Sequence, residues 1–213
     1  MEAIQREILS HNWITLTFVF SLSVLFFLKL FKPSTLKGYV TSIFNKGFVE
    51  IIAVEKYQIF SFFHIGFAFF SFLMLSISTY FVIRQQAQKE AFLLFDYLKV
   101  SSYLLLFMFT RFLLEFLLIE LFEIKEKLAH FLFSKRSYSY SISIGLFILN
   151  IVYFYSFQNQ SFLLIGGISL LSIRFFLIVF YNKNLIIKEL FYFILYLCAF
   201  ELAPLFILFK LIF

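Results

Sequence analysis

Long unbroken apolar runs set the pattern of this chain, and polar residues gather in short stretches between them. A helix rising about 1.5 Å per residue needs roughly 20 apolar residues to cross a hydrocarbon core of about 30 Å. Six runs meet that length: 13–31, 57–83, 92–119, 138–157, 162–181 and 190–213. Backbone that faces lipid must satisfy its own hydrogen bonds, so such runs are helices or strands of a closed barrel. Barrel strands are about ten residues long and alternate apolar with polar positions. Only Ser137–Ser143 alternates cleanly, and it stands alone. The pattern therefore predicts an all-α protein: a polytopic transmembrane bundle of about six spans forming one membrane domain over 1–213.

Between the first two spans, 38–56 is apolar but broken by Asn45, Lys46, Glu50 and Glu55. It is too polar to span and too apolar to float free, which predicts an interfacial helix. The first run is expected to be retained rather than cleaved. Met1–Glu7 carries no positive excess, and no small-x-small cleavage site follows.

Composition strengthens this reading. Hydrophobic residues make up 62% of the chain and charged residues 14%, and one soluble core of this size could not bury that much apolar surface. The 37 phenylalanines read as lipid-facing bulk. The single cysteine, Cys198, forms no intrachain disulfide and no Cys-x-x-Cys metal site.

The net charge of +6 reflects membrane topology rather than nucleic-acid binding, because the lysines sit at helix ends. With the N-terminus outside, the cytoplasmic loops hold Lys32, Lys37, Lys46, Lys56, Lys125, Lys127, Lys135, Arg136, Lys183 and Lys188. The opposite side holds Arg6, Arg84, Lys89, Lys99 and Lys210. That two-to-one bias places both termini on the periplasmic side.

The chemistry-bearing candidates are charges within the runs. Arg111 and Glu115 lie in the third, Arg174 in the fifth and Glu201 in the sixth. Each costs roughly 2.5–3.5 kcal/mol at a bilayer centre, so such groups turn inward and find partners. Counted from the cytoplasmic ends, Arg111 and Arg174 lie about 12 Å deep, Glu201 about 17 Å and Glu115 about 6 Å. Arg111 and Glu115, one turn apart, are spaced to pair within their helix. Glu201 is expected to meet Arg174, Arg111 or both, since a guanidinium fork binds carboxylates in two places. Pro204 lacks an amide hydrogen and should kink the last helix beside Glu201. His64 reads as a polar contact at a helix interface. Gly166, Gly167, Ser169 and Ser172 read as a small-residue packing face. Glu123 and Lys127 have the spacing of an ion pair on a solvated helix extension, which also accounts for Glu126 and His130 without a metal.

No phosphate-binding loop, dinucleotide fingerprint, His-Glu-x-x-His or Gly-x-Ser-x-Gly occurs in the chain. No catalytic residue, cofactor or metal is assigned.

The run Leu197-Cys198-Ala199-Phe200-Glu201-Leu202-Ala203-Pro204-Leu205-Phe206-Ile207-Leu208-Phe209-Lys210 resembles the closing segment of domain-of-unknown-function family 4271, polytopic membrane proteins of Bacteroidota. The resemblance implies a Gram-negative inner-membrane protein and gives weight to Glu201 and Pro204, but it supplies no activity. The first expectation is a non-enzymatic membrane subunit working with other envelope proteins, near secretion or gliding machinery by analogy alone. The alternatives are a small transporter or channel using the Arg/Glu cluster, and a lipid-modifying membrane enzyme.

Overall fold

The computed structural model describes residues 12–42, 62–87, 92–121 and 125–181. They form α1 (Asn12–Phe31), α2 (Pro33–Thr41), α3 (Phe62–Gln86), α4 (Leu94–Leu121), α5 (Lys125–Val152), a π turn (Tyr153–Phe157) and α6 (Gln160–Tyr181). No strand occurs among the described residues, so the all-helical reading holds. Among the described residues, five helices are long and apolar enough to cross a membrane. The sixth expected span, 190–213, lies outside the described residues, as do 43–56 of the expected interfacial segment.

α5 is the axis of the bundle. Two-thirds of its candidate span, Phe133–Ser156, is buried, against about a tenth for α4 and α6. The reason lies in its hydroxyls. Ser134, Ser137, Ser141, Ser143 and Asn150 are all buried, and lipid offers polar groups no partner. Several hydroxyls bond back along their own helix, as Ser143 Oγ does to the Tyr140 carbonyl at 2.7 Å. The peripheral helices present Phe20, Phe26, Leu105, Phe109, Phe176 and Phe180 outward, where lipid solvates them.

α3 and α5 run parallel and in register. Tyr140 reaches the His64 carbonyl and Asn150 the Met74 carbonyl with the same offset of 76 residues. The phenylalanine excess therefore has a second role besides facing lipid. Phe63, Phe67, Phe70 and Phe81 of α3 are buried, and Phe70 packs at 5.8 Å from Phe147 of α5.

α6 packs antiparallel on α5 through two glycines. A methyl at Gly166 would overlap Leu149 Cδ1, and one at Gly145 would stand 3.1 Å from Leu170 Cδ2. Each leucine fills the space a missing side chain leaves, which lets the helices approach closely. Between these helices the chain turns in two residues. Gln158 adopts a left-handed backbone (φ 41), its amide reaching back to the Tyr153 carbonyl at 3.0 Å. Asn159 then caps α6, its Oδ1 accepting from the Ser161 amide at 3.0 Å.

α1 gives way to α2 at Lys32 (φ −146, ψ 79), because Pro33 excludes the helical conformation from the residue before it. Pro33 then suits the first position of α2, where its missing amide hydrogen goes unused.

The helix boundaries differ from the apolar runs in an informative way. α5 begins well before residue 138, so Lys135 and Arg136, counted above as loop charges, belong to the helix. A helix continues through charged residues when a neighbouring helix supplies a countercharge, which hydropathy does not register.

Candidate functional site

At the end of the bundle that holds Lys135, α2 turns inward between α3 and α5. Tyr39 is fully buried there. Its ring lies 6.0 Å from Phe63, 6.1 Å from His64 and 5.4 Å from Tyr140. Tyr140 stacks on Phe67 at 4.5 Å and on His64 at 6.1 Å, while its hydroxyl donates to the His64 carbonyl at 3.3 Å. Ser141 Oγ donates to the Val40 carbonyl at 3.5 Å, fastening α2 to α5. His64 is half-buried in this aromatic setting, at the meeting of three helices, within electrostatic reach of Arg136 and Lys32.

Beside this layer, Lys135 Nζ of α5 lies 3.3 Å from Glu115 Oε1 of α4, with side-chain exposures of 9% and 18%. The pair joins two helices where water is scarce and Coulomb attraction correspondingly strong. Arg111 lies one turn further along α4, half-buried, on the stripe that also carries the buried Tyr97 and Leu104. Arg174 is half-buried too, and it shares a stripe of α6 with the buried Leu163 and Ile178.

The opposite end is held by side chains bonding to backbone. Trp13 Nε1 donates to the Phe92 carbonyl at 2.9 Å and the Tyr80 hydroxyl to the Leu93 carbonyl at 3.2 Å. Arg84 lies 3.3 Å over the Phe92 ring. Tyr97 and Ser76 share a hydroxyl bond of 3.0 Å, and Tyr153 donates to Gln85 Oε1 at 3.0 Å. The carbonyls of Phe92 and Leu93, just before α4 begins, thus gain donors from α1 and α3. Among the described residues, no group of three or more His, Cys, Asp and Glu is placed to hold a metal.

Residues 14–212 match a family described as a domain of unknown function, DUF4271. The chain belongs to DUF4271. No curated protein and no solved structure matches it.

In this DUF4271 chain the sequence candidates fall into three groups. Arg111, Glu115 and Arg174 lie on inward-facing stripes in the half of the bundle nearer Lys135, and His64 lies at a helix interface. Of the small-residue face, Gly166 packs against α5, Ser169 and Ser172 are exposed, and Gly167 has nothing within 4 Å among the described residues. Glu201 and Pro204 lie outside the described residues, as do the side chains of Glu123, Glu126, Lys127 and His130. Sequence reasoning did not identify Lys135 as the partner of Glu115. Asn150 was missed as well, although a lone amide within an apolar run was a usable signal. Tyr39 and Trp13 carried no such signal, because their roles depend on helices distant in sequence.

Proposed function

We propose that this DUF4271 protein is a non-enzymatic integral membrane subunit of a bacterial envelope assembly. It would reside in the inner membrane with both termini periplasmic. One observation carries the reading: the polar side chains of the bundle fasten helix to helix. Trp13, Tyr80, Tyr140 and Asn150 each donate to a backbone carbonyl far away in sequence. Such bonds rigidify a bundle, as suits a scaffold that other proteins assemble on. Support for the inner membrane and the topology comes from the lysine bias of the loops.

The test is purification from native membranes in two mild detergents, followed by mass spectrometry. The same membrane or envelope protein recovered at one-to-one stoichiometry in both supports the reading. A protein that purifies alone and conducts ions in liposomes overturns it.

The second reading is a small transporter or channel. It is favoured by Arg111, Glu115, Lys135 and Arg174 gathering in one half of the bundle, since ionisable groups inside membranes commonly mark ion paths. Its signature is liposome flux abolished by Glu201→Gln.

A further inference from the structure

The end of the bundle that holds Lys135 carries more positive than negative charge. Among the described side chains there, Glu115 is the one carboxylate, and Lys135 engages it. Lys32 and Lys37 are exposed, and Arg136 is half-buried. Residues 43–61, which join α2 to α3, hold Lys46, Glu50, Glu55 and Lys56 and so add no net charge.

Two of these cations converge on the first turn of α3. Leu28 lies against Gly66, and the Phe31 ring stands 5.5 Å from that of Phe62. α1 and α3 are therefore antiparallel, and Lys32 is level with the start of α3. His64 follows by half a turn and stacks on Tyr140 at 6.1 Å. Arg136 lies one turn before Tyr140 on the same face of α5. At 1.5 Å per residue, Lys32 stands about 4 Å and Arg136 about 6 Å beyond His64, toward the end of the bundle. Both act electrostatically on His64, so they border one small region.

That region sits where a bilayer changes from hydrocarbon to headgroups. The apolar span of α1 closes at Phe31. Just below the cations, Phe31 and Phe62 turn their rings outward, 63% and 71% exposed. Charge above and exposed rings below match the two parts of a phospholipid. We propose that Lys32 and Arg136 bind the phosphate of an anionic phospholipid at the elbow between α1 and α2, with an acyl chain of that lipid against Phe31 and Phe62. Arg136 offers a fork that fits phosphate in two places, and Lys32 a flexible point charge. Lys37, on the exposed side of α2, adds to the field that favours a lipid of net negative charge. The exposed rings favour a lipid over free phosphate, which has no apolar part to seat there. The proposal does not depend on the subunit reading, because a scaffold and a conduit would present the same elbow to the bilayer.

Native mass spectrometry of the purified full chain tests this directly. Palmitoyl-oleoyl phosphatidylglycerol and the matching phosphatidylcholine are each titrated into the detergent, and bound lipid is counted. Wild type should retain one phosphatidylglycerol in preference to phosphatidylcholine. Each cation near a membrane surface changes affinity for anionic lipid about fivefold. Lys32→Gln and Arg136→Gln should therefore each weaken retention about fivefold, and the double variant about 25-fold. Lys99→Gln, which removes an exposed cation at the opposite end, should leave retention unchanged. Equal retention of the two lipids by wild type, or a double variant that keeps its phosphatidylglycerol, overturns the proposal. Equal loss from Lys99→Gln would make the binding a diffuse effect of net charge and overturns it too.

Thermal unfolding of wild type supplies a second measurement that needs no variant to fold. Phosphatidylglycerol should raise the melting midpoint, while phosphatidylcholine and inorganic phosphate at the same concentration should not. A rise of equal size with inorganic phosphate would make the ligand a soluble anion, and no rise with phosphatidylglycerol would leave the elbow without a lipid. Either result overturns the proposal.

Discussion

Gly166 and Gly167 adjoin in sequence, yet the structure predicts different responses to the same substitution. A methyl at Gly166 would overlap Leu149 Cδ1, with Cγ at 3.3 Å, whereas a methyl at Gly167 meets nothing within 4 Å among the described residues. Glycine-to-alanine change in a helix interior gains about 1 kcal/mol from backbone propensity. At Gly167 that gain should appear undiminished. At Gly166 it is opposed by overpacking of about 1–3 kcal/mol, because Leu149 is buried between helices and has little room to turn aside. The two alanine variants should therefore differ by about 1–3 kcal/mol, or roughly 2–12 °C in melting midpoint for a chain of this size. Differential scanning fluorimetry in one detergent measures this directly. Leu149→Ala opens a cavity and lowers stability by itself, but it should abolish the penalty of Gly166→Ala, giving a coupling energy in a double-mutant cycle. Equal shifts for the two glycines, or a Gly166 penalty unchanged by Leu149→Ala, would refute the packing argument.

Other interactions predict further outcomes. Removing one partner of a buried ion pair strands the other charge, so Lys135→Met should cost about 1–3 kcal/mol. The double variant with Glu115→Gln should be more stable than Lys135→Met alone, as read by melting midpoints. Asn150→Ala removes an interhelical bond of 3.1 Å, and such bonds average about 0.6 kcal/mol in membranes; a midpoint loss of roughly 1–3 °C is expected. Trp13→Phe keeps a ring against Tyr80 and Tyr97 but withdraws the donor from the Phe92 carbonyl. Hydrogen exchange should quicken at the start of α4, while amides in the middle of α5 remain protected.

The helices were legible because a bilayer imposes a length that no soluble core demands. Runs of about 20 apolar residues can hide their backbone in few other ways, so α1, α3, α4 and α6 each follow from run length. The beginning of α5 was not legible. Lys135 and Arg136 looked like loop residues because a charge reads the same in a loop and in a helix whose neighbour holds a carboxylate. The spacing of Arg111 and Glu115 described a local option within one helix, whereas Lys135 reaches Glu115 from the next. α2 was hidden for a similar reason. Its nine residues are weakly apolar, and only ring packing against Phe63, Phe67 and Tyr140 explains the inward position of Tyr39. At Gly166–Gly167 the sequence showed small residues and the helical period did the selecting. Gly166 points toward Leu149, while Ser169 and Ser172 fall on the exposed side.

These placements share a cause that reverses the rule for soluble proteins. In water the most apolar helix is drawn to the centre; in lipid apolar side chains lose little by staying outside, and hydroxyls and amides lose most. α5 is less apolar than α1, α3 and α6 by mean hydropathy, and it is the most buried of the described spans. Among α1, α3, α5 and α6 burial rises as mean hydropathy falls, whereas α4, the least apolar of the described spans, stays at the periphery and departs from that order. The same logic bears on the arginines. Arg111 and Arg174 belong to the two least buried of the described spans, and each is half-buried on the inward stripe of its helix. A substitution that made the sheltered side of α5 more apolar, such as Ser143→Leu, would raise the hydropathy of the helix but crowd a buried position and remove a satisfied hydroxyl. For a bundle organised by polar shelter, the second effect should dominate, and the variant should be less stable despite its higher hydrophobicity.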